Sequence, residues 1–306
     1  MSRSVAVTTA ADNAFAWPAA LALLSAVAHA GNRIEHLILI DCGIAPQETA
    51  RIRALLESCN RELVVKRAHL PSELQDYEFT SHLSSATFAR VFAPRYAAEF
   101  SARTLYVDAD SLTIGPISPL LDIRMDSMIV AAVADNIPSV SSPGGVGGWR
   151  RLGLEPNRPM FNAGVLLIDN QGWLAENVEE RVVSELLDFP EDATYGDQGA
   201  LNAALAGQWR VVERGWNYRV RSSPGIGFGG MFATRRQIGH LRSIRILHFL
   251  GERKPWQAVY PPSPLRELYR REWARIGSPP LGDPIGYVDW MRWKFQRGGG
   301  RSKSRH

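Results

Sequence analysis

Short apolar runs separated by helical stretches dominate the first half of the chain, and this alternation constrains the fold most. SVAVTT (4–9), HLILIDC (36–42) and ELVVKRA (62–68) have the length and β-branched content of buried strands. Between them, FAWPAALALLSAVAHA (15–30) and QETARIRALLESC (47–59) read as helices, with Pro18 tolerable in the first turn. SSATFARVFAPRYA (84–97) is helical to about Pro94, and the apolar run SMIVAAVAD (127–135) reads as a further strand. Strands joined through helices predict an α/β fold with parallel βαβ units and helices on both faces of the sheet. Such sheets bind ligands at the carboxyl ends of their strands, where Asp108, Asp110 and Asp135 fall.

Further along, FNAGVLLID (161–169) returns to strand, while 176–189 and 195–207 read as helices. The Gly-, Pro- and Ser-rich segment 136–160 predicts a long mobile loop, a kind that is usually functional when it lies inside a compact domain. From Pro261 the chain is Pro-rich, with a short helix near 265–276 and then a basic, aromatic end. The predicted division is therefore 1–260 for the main domain and 261–306 for a C-terminal extension.

The net charge of +4 comes from that end. Residues 287–306 hold Arg292, Lys294, Arg297, Arg301, Lys303 and Arg305 against Asp289, which leaves the body near neutrality. No nucleic-acid recognition module accompanies these charges, so nucleic acid is not an expected partner. No apolar stretch approaches the about 20 residues of a spanning helix, and no secretory signal is expected at the start. Cys42 and Cys59, the only two cysteines, read as reduced thiols of a cytoplasmic protein.

The chemistry concentrates in a few stretches. TLYVDAD (104–110) ends an apolar strand with Asp108 and Asp110, two carboxylates at i and i+2 that share a face on a regular strand. Unpaired they repel, whereas a divalent cation with a taste for hard oxygen ligands, Mn²⁺ or Mg²⁺, relieves the conflict; the alternative is a solvated turn. RILHFLGERKPW (245–256) offers His248 as a ligand or a packed residue, Gly251 for close backbone approach to an anion, and Lys254 as a point charge for phosphate. Together they suggest a diphosphate–metal site. In YGDQGALN (195–202), Asp197 and Gln198 stand at a helix start, as a cap or as partners for sugar hydroxyls, and Asn162 in FNAG has the same two roles open to it.

VTTAADNAF, ATFARVFAP, YVDAD, FNAGVLLID, DQGALN and HFLGERKPW, in this order from about residue 5 to 257, resemble glycosyltransferase family 8. This family includes bacterial lipopolysaccharide galactosyl- and glucosyltransferases and the glycogenins. The resemblance implies a single Rossmann-like nucleotide-sugar transferase domain of the GT-A type, a UDP-glucose or UDP-galactose donor, and retention at the anomeric carbon. It implies Asp108, Asp110 and His248 as Mn²⁺ (or Mg²⁺) ligands. Ala10, Asp12, Phe15 and Ala109 would contact the nucleoside, and Gly251 and Lys254 the phosphates. Arg90, Asp135, Asn162, Ala163, Asp197 and Gln198 would surround the donor sugar, with Gln198, Asp197, Asp135 and Arg90 the candidate catalytic residues. Phe15 and Phe88 stand where tyrosine is common, and Ala14 where some members have a polar residue, so contacts from those groups are missing. The acceptor, a saccharide or glycolipid, falls to the 136–160 loop and the C-terminal segment.

Two rival classes share part of this pattern. A haloacid dehalogenase-type phosphatase also has a strand followed by DxD, but there the motif opens the domain, whereas about 100 residues precede it here. A nucleotide-sugar-binding protein without catalysis would keep the fold and lose the metal ligands, which are all present. In the tail, Tyr287, Trp290 and Trp293 recur at helical spacing beside basic residues, which predicts peripheral attachment of 287–306 to an anionic membrane surface.

Overall fold

The computed structural model of the chain describes residues 5–69, 71, 74, 85–189, 196–205, 207–221, 243–284 and 286. The basic end from 287, with the expected membrane-facing aromatics, lies outside the described residues. The chain falls into two compact units, one made of 1–218 with 244–247 and the other of 219–243 with 248–306.

The first unit is built on a seven-stranded sheet. In chain order its strands are β1 (Val5–Ala11), β2 (Ile34–Asp41), β3 (Leu63–Arg67), β4 (Arg103–Val107), β6 (Val130–Ala134), β7 (Phe161–Asp169) and β8 (Trp209–Val212), arranged β3-β2-β1-β4-β7-β6-β8. The expected strands all form, and the β3-β2-β1-β4 half is parallel throughout. β7 departs from expectation: it runs antiparallel to both of its neighbours, β4 and β6. A connection gives a parallel neighbour only when it carries the chain back to the opposite end of the sheet, and here the 136–160 loop returns it at the end where β6 finishes. In consequence β4 and β6 finish at one edge and β7 begins there. A smaller sheet, β5-β10-β9, contains β5 (Ser111–Thr113), β9 (Tyr218–Arg221) and β10 (Ile246–Leu250).

Strand alternation sends side chains to two apolar layers. Leu105 and Val107 of β4 join Val5, Val7, Leu37 and Leu39 under α1 (Ala16–Ala28) and α2 (Pro46–Ser58), which contribute Leu23, Ile52 and Leu56. α1 is alanine-rich and almost wholly buried, so its backbone lies close on the sheet. Truncating Leu23 in that layer would cost about 2–5 kcal/mol. Tyr106 of β4 points the other way, into a layer with Phe88, Phe92, Leu166 and Ile168. That layer is roofed by α6 (Asn170–Ala175), α7 (Val178–Asp188) and α8 (Asp197–Leu205), through residues such as Trp173, Val182 and Leu201.

Two local expectations change. The helix expected to stop near Pro94 is broken earlier, into α3 (Ser85–Phe88), a 3₁₀ turn (Ala89–Phe92) and α4 (Ala93–Ala97). Pro94 opens α4, where its missing N–H costs nothing. The 136–160 loop, expected to be mobile, carries its own apolar knot of Val140, Val146, Leu154 and Met160 against Ala203. Gly145 has no room for a Cβ beside the Ser139 and Val140 carbonyls, so the turn there needs glycine. In the second unit α9 (Pro264–Arg275), capped by the Ser263 hydroxyl, packs Tyr269 against Phe249 and Trp256.

Candidate active site

The site forms where β4 and β6 end and β7 begins. Asp108 is the first residue after β4, with its N–H donated to the Gly164 carbonyl of β7 and its carbonyl accepting from Ser111 in a tight turn. That turn carries Asp110 and leads into β5. Among the described residues, Asp108, Asp110 and His248 form a group whose potential ligand atoms lie within 4.8 Å of one another. Asp110 and His248, the latter on β10, are buried. Two carboxylate oxygens and an imidazole nitrogen make a hard donor set. Ligands of an octahedral ion with bonds of about 2.1 Å stand about 3.0 Å apart when adjacent and about 4.2 Å apart when opposite, so a group gathered within 4.8 Å fits a divalent cation after small side-chain movements.

Behind Asp108 lies a buried cation. Arg90, in the 3₁₀ turn between α3 and α4, is only 7% exposed. Its Nε donates to the Thr87 carbonyl (2.9 Å) and lies 2.7 Å from Asp197 Oδ2. Its Nη1 donates to the Ala163 carbonyl (2.9 Å) and to Asp108 Oδ2 (3.3 Å). Burial works against the charge on Arg90, but Asp108 and Asp197 outweigh it and hold the guanidinium firmly protonated. Asp197, at the start of α8, is pushed up to about 6 by burial, with Arg90 pulling against that shift.

The neutral polar groups are linked as tightly. Asn162 Nδ2 donates to Asp135 Oδ2 (3.0 Å) and to Gln198 Oε1 (2.9 Å), and Gln198 Oε1 also accepts the Ala163 N–H (3.1 Å). Asn162 Oδ1 accepts from the Gly164 N–H and from Asn217 Nδ2 (2.8 Å). Thus Arg90, Asp135, Asn162, Ala163, Asp197 and Gln198, scattered over more than 100 positions in sequence, belong to one connected network.

The other residues singled out in sequence stand as follows. Asp12 caps the 3₁₀ turn Asn13–Phe15, its Oδ1 accepting from the Ala14 and Phe15 amides. Ala10, late in β1, and Ala109, between the two aspartates, are both buried. In the second unit Gly251 adopts φ +92°, a conformation that favours glycine, and Lys254 Nζ donates to the Phe249 carbonyl (2.8 Å).

Two members of the network escaped the sequence. Tyr106 donates its hydroxyl to Asp108 Oδ1 (3.0 Å), and Asn217, fully buried, orients the Asn162 amide. The i−2 spacing of Tyr106 from Asp108 was a usable signal, since alternate strand residues share a face. Asn217 left none, because its partner lies 55 positions away.

Residues 6–259 match the family described as glycosyl transferase family 8. General stress protein A of Bacillus subtilis is 28% identical over 257 residues, covering 80% of this chain and 86% of that protein. The lipopolysaccharide 1,3-galactosyltransferase of Salmonella typhimurium is 27% identical over 233 residues, covering 71% of this chain and 63% of that protein. Among solved structures, the galactosyltransferase LgtC in complex with donor and acceptor sugar analogs superposes with a TM-score of 0.72 at 21% identity, over 90% of this chain and 97% of LgtC. The fold is accordingly the mixed α/β GT-A type, and the phosphatase alternative loses its support. With the match running through every motif from β1 to β10 and beyond, the chain belongs to glycosyltransferase family 8.

Proposed function

We propose that the protein is a retaining hexosyltransferase that moves glucose or galactose from a UDP-sugar to a hydroxyl of a saccharide or lipid-linked acceptor. A divalent cation, Mn²⁺ or Mg²⁺, would be held by Asp108, Asp110 and His248. The observation that carries this is the convergence of those three side chains beside a buried charge network at the strand ends. When bound, the cation neutralises charge on the departing diphosphate.

The chain's own groups supply the rest. Lys254, with Gly251, would face the diphosphate, and Ala10, Asp12, Phe15 and Ala109 the nucleoside. Arg90, Asp135, Asn162, Ala163, Asp197 and Gln198 would surround the sugar. The donor network bears on the route of attack. A double displacement needs a free nucleophile, yet Gln198 Oε1 already accepts from both Asn162 and Ala163, and the Asp197 carboxylate is held against Arg90. This favours attack by the acceptor hydroxyl on the face the nucleotide leaves, with Gln198 fixed as a polar wall to the pocket. The 136–160 loop, rooted at Asp135 and Asn162, is the natural acceptor-determining element.

Cys42 and Cys59 are unpaired, and no described helix is long and apolar enough to cross a membrane. A cytoplasmic enzyme, attached peripherally to the inner membrane face through 287–306, accords with both. The decisive experiment is incubation with a panel of UDP-sugars, with and without Mn²⁺, following UDP release and the anomeric configuration of the product by NMR. Metal-dependent release from one UDP-hexose with retention is expected. No release from any member of the panel would overturn the reading.

A further inference from the structure

The Asp108 carboxylate is held from two sides before any cation arrives. Tyr106 donates to Oδ1 at 3.0 Å and Arg90 Nη1 donates to Oδ2 at 3.3 Å. The two donors differ in kind. Arg90 also contacts Asp197, Thr87 and Ala163 and is committed to the wider network. The Tyr106 hydroxyl points at Asp108 from two residues away on the same strand face, with its ring 1% exposed and the Arg90 guanidinium 5.6 Å from the ring centroid.

Such a contact stops the carboxylate from rotating about its Cβ–Cγ bond, which pre-organises its oxygens for a ligand. We propose that Tyr106 is a positioning residue of the cation site, acting through Asp108 without touching the ion. The proposal rests on the metal reading of Asp108, Asp110 and His248 given above.

The test is Mn²⁺ titration of the full chain by electron paramagnetic resonance, without donor, so that activity is not the readout. Wild type should bind Mn²⁺, and Tyr106→Phe, which removes one oxygen and keeps the ring, should bind about 10- to 100-fold more weakly. In assays the KM for Mn²⁺ should rise by more than kcat falls. In an Asp108→Asn background the same substitution should change Mn²⁺ affinity no further. Wild type that binds no Mn²⁺ overturns the metal reading and this proposal with it. Binding by wild type with equal binding by Tyr106→Phe overturns the proposal alone, as does an equal loss in the Asp108→Asn background, which marks a general loosening of the core. Should Tyr106→Phe fail to fold, 3-fluorotyrosine placed at 106 alters the phenol's acidity and keeps the packing; unchanged Mn²⁺ affinity then overturns the proposal.

Discussion

β4 is five residues long and has a polar cluster at each end, built on opposite terms. At its start, Thr104 Oγ1 donates to Asn170 Oδ1, Asn170 Nδ2 donates to the Ser101 carbonyl, and Arg103 Nη1 donates to the carbonyls of Leu121 and Ile123. The Thr104 and Asn170 groups are neutral and buried, and their bonds close on one another. At its end, Asp108 meets Tyr106 and Arg90 and stands in one group with Asp110 and His248, so charged and titratable side chains gather there. The Thr104–Asn170 pair ties α6 to the sheet with neutral groups alone. Convergent carboxylates and an imidazole at a strand end are a donor set suited to a cation. Burial by itself therefore does not separate structural from functional polar groups; the kind of group that converges does.

The largest predicted effect is at the charged end. Asp108→Ala, Asp110→Ala and His248→Ala should each lower transfer about a thousandfold or more, with far-UV circular dichroism unchanged, since cation catalysis is worth several kcal/mol. Asn170→Ala should do the reverse, costing about 1–3 kcal/mol in urea unfolding while Mn²⁺ affinity is kept. Activity undiminished in EDTA would erase the distinction between the two ends.

Next come the residues that the proposed function puts around the donor sugar. On that reading Asp197→Asn and Gln198→Ala should lower kcat more than they weaken UDP binding, since they would act at the sugar and not at the nucleotide. Asn217→Ala should act the same way at a distance, lowering kcat about tenfold by freeing the Asn162 amide. A fall in UDP affinity that matches the fall in rate would move these residues out of the sugar pocket.

A smaller effect concerns Glu179 on α7, whose partner is Arg95 at 3.1 Å and whose like-charged neighbour is Glu180. Burial pushes this carboxyl from its ordinary 4.5 up to about 7. Between those values the folded chain holds a proton that the unfolded chain has released, so stability falls as pH rises through that window. Glu179→Gln should flatten the fall, by on the order of 1–3 kcal/mol between pH 5 and pH 8. Parallel unfolding curves for the two proteins across that range would show that Arg95 fully compensates the charge. The smallest effect is in the tail. Removing 287–306 should reduce co-sedimentation with anionic vesicles at low salt and leave donor hydrolysis intact. Equal sedimentation of the full and shortened chains would reject the anchor.

What could be read from the sequence was what local pattern controls. The strands before residue 110 were visible because each is a dense apolar run, and Asp108, Asp110 and His248 because each follows or sits in one. The direction of β7 was not, since an apolar strand carries no mark of which way it runs, and only its pairing with β4 and β6 decides that. The roles of Asp197 and Asn162 stayed divided between cap and ligand, because the choice depends on partners dozens of residues away. Asn217 was invisible for the same reason, whereas Tyr106 could have been found by extending the face shared by the two aspartates by one more step.

The reversed entry of β7 has a consequence for how this enzyme could be diversified. The 136–160 loop leaves from Asp135 and returns at Asn162, and these two feet are bonded to each other directly, while the Asp135 N–H is held by the Met160 carbonyl. Chain between them can lengthen, shorten or be replaced while both feet keep their places. On the proposed function the segment would serve as an exchangeable cassette: transplanting the stretch from another family member, cut just inside Asp135 and Asn162 and keeping the apolar contact with Ala203, should change which acceptor is glycosylated and leave the donor sugar as it was.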